Sequence, residues 1–247
     1  RLLRNQQADI YQILRAVQNL RAGLQHYGTP QFARQARMAF MARAFLRSLT
    51  ENGPADDEGK TWFSQEDTDA FMQSISTVST EFEKDFRAFS MDEISRAEFN
   101  EKYGHLRVGT YDIRTERYDQ MNFRPGPSKS KGKAEAREDA LNPGRLAEAL
   151  KEAGLQVSVE QLLHFIRYAI EQREYFKFEF TKSLSLILEL LVRAGNEMEI
   201  ARNDLSWLEI EDFRLPQYMA MEELRDQLEV KIRRRHKRYQ QYRELSL

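Results

Sequence analysis

The sequence predicts a mainly α fold, an irregular multi-helix domain with one long buried helix and a glycine-bracketed loop. Two observations carry that prediction. Apolar residues recur at intervals of three and four along most of the 247 residues, the spacing that gathers side chains on one face of a helix. Between those runs stand helix starts and stops, such as Ser64-Gln65-Glu66-Asp67 and Tyr27-Gly28.

Ile10, Ile13, Leu14, Val17, Leu20 and Leu24 form the first amphipathic helix, which should end near Tyr27-Gly28. Thr29-Pro30 can start the next, which carries Phe32, Ala36, Ala39, Phe40, Arg43 and Leu46 as far as Asn52-Gly53-Pro54. Ser64 and Asp67 have capping-box spacing, and Phe71, Ile75, Val78, Phe82 and Phe86 then read as one stripe on a third helix. Ser90-Met91-Asp92-Glu93 is expected to open a short helix, with Gly104 taking the left-handed conformation that ends it. Asn142-Pro143-Gly144 starts another short helix, and Ser158-Val159-Glu160 starts a long one running to about Gly195. Its second half, with Leu184, Leu186, Ile187, Leu188, Leu190 and Leu191, is apolar nearly all round and is expected to be buried.

The expected organisation is an N-terminal helical part over 1–123 that ends in the loop, a flexible linker over 124–142, and a C-terminal helical part over 143–247 packed with the first as one domain. The linker rests on Pro125, Gly126, Pro127, Gly132 and several lysines, with almost no large apolar residues. Near the end of the chain, Arg233-Arg234-Arg235-His236-Lys237-Arg238 follows Glu222, Glu223, Asp226 and Glu229 on one helical pattern. Acid near the start and base near the end is the order the helix dipole favours, so the basic run reads as a solvated helix end or a contact with a neighbouring domain. Trp207 and Phe213 read as packing anchors.

Composition narrows the function classes. With 38 basic and 39 acidic residues, no global field favours nucleic acid or a membrane surface. Zero cysteines exclude disulfides and thiolate chemistry and fit a cytoplasmic protein. No apolar run approaches the roughly 20 residues a bilayer span needs. Because Arg1 already stands in a helical pattern, the chain is expected to be a piece of a longer protein.

Chemistry-bearing residues concentrate in Tyr103-Gly104-His105-Leu106-Arg107-Val108-Gly109-Thr110-Tyr111-Asp112-Ile113-Arg114, with Arg117 just beyond. Arginine forks, hydroxyls and a histidine in one glycine-bracketed loop suit an anion or a polar substrate. His105 can orient or deprotonate an acceptor, or simply hold the loop; Asp112 is a second candidate base, or an Asx turn and arginine partner. On the long helix, Arg173, Lys177 and Thr181 recur at intervals of four with Glu174 beside them, and such a stripe can line a cleft or remain a solvated face. No histidine pair has metal-ligand spacing.

Arg173-Glu174-Tyr175-Phe176-Lys177-Phe178, then Arg202-Asn203-Asp204-Leu205-Ser206-Trp207-Leu208 and Glu211-Asp212-Phe213, together with the Tyr103-Gly104-His105 loop, resemble the helical segment of phosphoenolpyruvate synthase and pyruvate phosphate dikinase-like phosphotransferases. The branch that includes rifampicin phosphotransferase has a comparable Tyr-Gly-His-Arg-Gly-Pro-Gly stretch. Here Leu106 stands between the histidine and the arginine, and Val108 before the glycine. The Gly-Thr-Tyr-Asp-Ile continuation is closer to the capsule-cluster branch in which L-glutamine kinases occur.

The resemblance implies the central substrate domain of a multidomain enzyme that moves phosphoryl from ATP through a histidine to a small-molecule acceptor. The ATP-binding and swivelling histidine domains would be partners in the same polypeptide, with ATP and Mg2+ bound there and no cofactor on this segment, which should not turn over ATP alone. His105 and Asp112 would then serve catalysis, while Arg107, Thr110, Tyr111, Arg114, Arg117, Arg173, Glu174, Lys177 and Thr181 would bind substrate or phosphate. The rival expectation is a non-catalytic helical scaffold or interaction module, in which the same charges pair with one another.

Overall fold

The computed structural model describes residues 2–109, 111–122, 136–214 and 219–245, with side chains from residue 10 onward. Thr110 and positions 124–135 of the expected linker lie outside the described residues. The fold is mainly helical, and among the described residues extended pairing is confined to the isolated bridges Ala55 with Thr61 and Arg107 with Arg117. No described helix is long and apolar enough to cross a membrane.

In chain order the helices are α1 (Leu2–Gly23), a π-helical turn (Leu24–Gly28), α2 (Thr29–Asn52), α3 (Gln65–Ser74), α4 (Val78–Ser90), α5 (Arg96–Tyr103), α6 (Pro143–Glu152), α7 (Val159–Glu197), α8 (Arg202–Leu205), a 3-10 turn (Ile210–Phe213) and α9 (Met221–Leu245). Several boundaries follow directly from capping chemistry. Ser64 accepts from the Asp67 backbone N–H while the Asp67 carboxylate accepts from that of Ser64, closing the expected box. Asn142 caps the Arg145 N–H at the start of α6.

Three boundaries differ from expectation. The stripe from Phe71 to Phe86 is broken after Ser74, where Thr77 caps a new helix through Thr80. The helix before the loop opens at Ser95, whose hydroxyl accepts from Glu98 N–H as Glu98 accepts from Ser95 N–H, and not at Ser90. Gly28 ends no helix by a loop: the π-helical turn leads straight into α2.

The chain divides into two compact units, each assembled from separated segments, so neither coincides with the expected 1–123 and 143–247 parts. Unit 1 comprises residues 1–28, 100–123 and 180–247. Its core joins Ile10, Ile13, Leu14 and Val17 of α1 to Ile187, Leu191 and Val192 of α7, with Leu205, Phe213, Leu224 and Leu228. Unit 2 comprises residues 29–99 and 124–179. Its core joins Ala42, Leu46 and Leu49 of α2 to Phe63, Phe71, Ile75, Leu146, Ile166 and Ile170. Phe82, Phe86 and Phe89 pack around Phe99, with ring centroids 4.9 to 6.0 Å from it.

The described end of the expected linker is tied into unit 2. Arg137 N–H donates to the Ala70 carbonyl at 3.1 Å, and Leu141 is fully buried. In α7, Ile187, Leu191 and Val192 are buried, but Leu186 is 43% exposed, so the second half is not covered on every side as expected.

In unit 1, Phe213 is buried and the Trp207 ring packs against His236 and Tyr239 at 5.0 and 5.4 Å. The basic run on α9 is partly committed there. Arg235 donates to the Trp207 carbonyl at 3.0 Å and pairs with Asp212, which Lys231 also meets at 3.0 Å, while Arg233 pairs with Glu229 at 3.1 Å. Burial raises the Asp212 pKa, but these cations and the Glu209 backbone N–H outweigh it and leave the carboxyl below its ordinary value.

Candidate functional site

In unit 1 the glycine-bracketed loop is closed on itself. Leu106 N–H donates to Tyr103 O at 2.9 Å, Tyr118 N–H to Leu106 O at 2.8 Å, and Asp119 N–H to Gly104 O at 3.2 Å. The left-handed conformation falls on Gly109, with φ 73°, and not on Gly104. Gly109 thereby makes the turn in which Asp112 N–H donates to its carbonyl at 2.8 Å. Gly104 is required for a different reason: a Cβ there would stand 2.4 Å from the Asn100 carbonyl oxygen and 3.0 Å from the Asp119 Cβ.

Arg107 is the anchor. Its side chain is 1% exposed and its guanidinium reaches Glu189 at 3.0 Å, the Ser185 hydroxyl at 3.2 Å and the Thr115 carbonyl at 3.2 Å. Ser185 in turn donates to the His105 carbonyl at 2.6 Å, so loop and α7 are joined by two interlocked contacts. Burial lowers the Arg107 pKa from its ordinary value and Glu189 opposes that, but an arginine stays charged throughout. Glu189 also accepts from Gln120 at 2.7 Å and lies 3.6 Å from Arg202. A buried guanidinium with this many acceptors is committed to holding the loop. That differs from the expectation that Arg107 faces a phosphate.

The remaining loop charges pair locally. Arg114 forks onto Asp112, Nε to Oδ1 at 2.9 Å and Nη2 to Oδ2 at 2.7 Å, and the Arg114 backbone N–H donates to Oδ1 at 2.9 Å. Those hydrogen bonds to Arg114 pull the Asp112 pKa down to about 2. A carboxylate held so low is a poor general base at neutral pH, and Asp112 takes the Asx-turn and arginine-partner role. Arg117 forks onto Asp119, with Nε to Oδ1 at 3.0 Å. Tyr111 and Arg114 stand exposed, His105 and Arg117 are half-buried, and Ile113 is buried in the core beneath.

The expected stripe lies on the one continuous helix α7, but its residues fall in two units. Arg173, Glu174 and Lys177 belong to unit 2, whereas Thr181 belongs to unit 1, where it is buried. In unit 2, Glu174 pairs with Arg173 and accepts from the Ser79 hydroxyl at 3.1 Å, while Lys177 is exposed. Glu174 also lines a groove of about 730 Å3 whose other walls include Arg43 and Arg47 of α2, Asp69 of α3 and Glu83 of α4. The volume is that of a small-molecule site. Among the described residues, no group of three or more histidine, aspartate or glutamate side chains gathers to hold a metal.

Sequence reasoning named Arg173, Lys177 and Thr181 but stopped short of Ser185 and Glu189, which continue the same interval of four. The signal was present: Glu189 is a charge between Leu188 and Leu190, and a charge in an apolar run needs a partner. Arg43, Asp69 and Glu83 come from three separate helices, and no local spacing groups them.

The fold and loop thus define a mainly helical protein carrying a braced, arginine-rich loop. No family model matches the chain, and no curated protein or solved structure matches it either.

Proposed function

We propose that this chain is the helical substrate domain of a phosphoenolpyruvate synthase-like phosphotransferase, acting in the cytoplasm within a longer polypeptide. In that enzyme, phosphoryl passes from ATP and Mg2+ on one domain, through a histidine on a second, to a small acceptor bound here. The observation that supports this reading most is the bracing of the family-like loop by buried Arg107, which leaves Tyr111 and Arg114 at the surface. Phosphoryl transfer asks the protein chiefly for positioning and charge neutralisation. Arg114 and Arg117 already present bidentate forks to carboxylates, and the same fork geometry accepts a phosphoryl group in exchange. His105, half-buried on the same loop, orients the acceptor.

The test uses the full-length protein with ATP, Mg2+ and a panel of amino acids, sugars and 2-oxo acids, followed by phosphorus NMR. Acceptor-dependent ATP consumption through an acid-labile phosphohistidine is expected, with kcat/KM lowered about tenfold or more by Arg117→Gln, a loss of about 1.4 kcal/mol in transition-state stabilisation. Absence of both phosphohistidine and acceptor-dependent consumption sinks the proposal.

One observation favours a second reading, a non-catalytic helical scaffold. Arg107, Arg114 and Arg117 each already have a carboxylate partner, as purely structural charges would. In that case Arg114→Gln and Arg117→Gln leave turnover of the full-length protein unchanged.

A further inference from the structure

Unit 2 carries a surface that the site chemistry does not use. The buried residues of α2 (Gln35, Ala39, Ala42, Leu46 and Leu49) share one side of the helix. On the other side Phe40 is 74% exposed and Met41 62%, side by side. Scattered exposed apolar residues are ordinary, but this pair continues into a concavity. Toward the C-terminal end of α2, a recess of about 360 Å3 is lined by Phe45, Leu49 and Asn52 of α2, Leu150 and the acid Glu152 of α6, and Leu155 just beyond it. Leu155 is itself 48% exposed, and its backbone N–H is held on the Leu150 carbonyl at 2.9 Å.

Charge distinguishes this face as clearly as shape. The segment Thr29–Asn52 has Arg34, Arg37, Arg43 and Arg47 against one acid, Glu51. Glu51 pairs with Arg47 at 2.8 Å, and Arg34, Arg37 and Arg43 form no ion pair among the described residues. Arg34 and Arg37 lie one to two turns before Phe40 and Met41 on the exposed side.

We infer that this face of α2 is a docking surface for a protein partner that brings an acidic amphipathic helix. Only apolar side chains of the partner enter the recess, where Glu152 stands, and cover Phe40 and Met41, while its carboxylates belong at the Arg34 and Arg37 end. From Arg34 to Asn52 the surface runs about 27 Å at 1.5 Å per residue, the length of a helix of about 18 residues and not of a tight turn. A row of apolar anchors set into a groove is how helices are recognised, with flanking charge setting orientation and association rate. A bilayer offers no knobs to fill a recess, which makes an anionic membrane the poorer match. This inference is independent of the phosphotransferase reading.

The test titrates the whole chain into a fluorescein-labelled helical peptide of about 18 residues, with leucines on one face and glutamates beside them. Controls are a scrambled peptide of the same composition and vesicles of phosphatidylcholine with phosphatidylserine. Saturable binding of the acidic helix is expected, weakened about tenfold or more by the F40E/M41E pair and, separately, by R34E/R37E, as anchors of a small interface require. Hydrogen exchange on the unsubstituted chain should show protection of Thr29–Asn52 on peptide binding, a readout that does not depend on any variant folding. Equal binding of the scrambled peptide, insensitivity to both variants, no protection of α2, or binding of vesicles and not peptide overturns the inference.

Discussion

The loop of unit 1 and the outer side of α2 in unit 2 are both arginine-rich, yet they use arginine in opposite ways. In the loop, Arg107 is buried against Glu189 and Ser185, and Arg114 and Arg117 are clasped by aspartates two residues away. On α2, Arg34, Arg37 and Arg43 have no ion pair among the described residues, and Arg34 and Arg37 stand beside exposed Phe40 and Met41. The physical difference lies in the acids available. The loop supplies its own carboxylates, and α7 adds Glu189, whereas α2 has only Glu51 for four cations. A cluster of arginines in a sequence therefore marks a binding surface only after its internal partners have been subtracted.

The sharpest way to break this comparison is to remove the buried cation. Arg107→Ala leaves the Glu189 carboxylate without its buried partner and should cost about 3–5 kcal/mol, measured as a shift in the urea unfolding midpoint. A cost below about 1 kcal/mol, the range of exposed pairs, would show that the anchor is no anchor. The double change Arg107→Met with Glu189→Leu should recover much of the loss, because the desolvation of both charges disappears with them.

Gly104→Ala should follow at about 1–3 kcal/mol, the usual cost of overpacking, since the added methyl has no room beside the Asn100 carbonyl. Thermal unfolding reads this directly, and an unchanged Tm would mean the loop can move away. In unit 2, Ser64→Ala removes the α3 cap and should cost about 1 kcal/mol. The hydroxyl's hydrogen bond also holds the Asp67 pKa below its ordinary value, so the variant should raise that pKa in carboxyl NMR titration.

A pH experiment separates the loop from the surface more finely. The Asp112 pKa is held at about 2, below its unfolded value near 4. Its contribution to stability is therefore fully present above about pH 4 and fades as pH falls toward 2. Arg114→Gln should bring the Asp112 titration back toward about 4 and flatten that part of the stability curve. The smallest effect belongs to α2: Arg47→Gln removes an exposed, solvent-screened pair with Glu51 and should leave the urea unfolding midpoint unchanged.

Much of the local structure was legible in the residues. The Ser64-x-x-Asp67 box, the Asn142-Pro143 start and the Ser158 start of α7 each depend on side chains within three positions of the backbone they cap. The break after Ser74 was missed because Phe71, Ile75, Val78 and Phe82 keep helical spacing across it, and only the Thr77 cap with Thr80 reveals the interruption. The loop was recognisable as a loop, but the left-handed conformation expected at Gly104 falls on Gly109, and close approach at Gly104 depends on where Asp119 returns. Within the candidate site, the pairing of Asp112 with Arg114 was foreseeable at a separation of two residues. The burial of Arg107 was not.

By itself, then, the sequence determined the helices, their caps and the position of the loop, all set by interactions spanning a few residues. The tertiary structure alone decided which charges are spent. Arg107 meets Ser185 and Glu189 at separations of 78 and 82 residues, and that meeting turns a residue expected at a phosphate into the brace of the loop. On α2, helical spacing marks the side that can be buried, but only packing shows that Phe40 and Met41 remain uncovered. The reason is common to both cases: a side chain's exposure and its ion-pair partners depend on elements far away in the chain, and no local spacing records them.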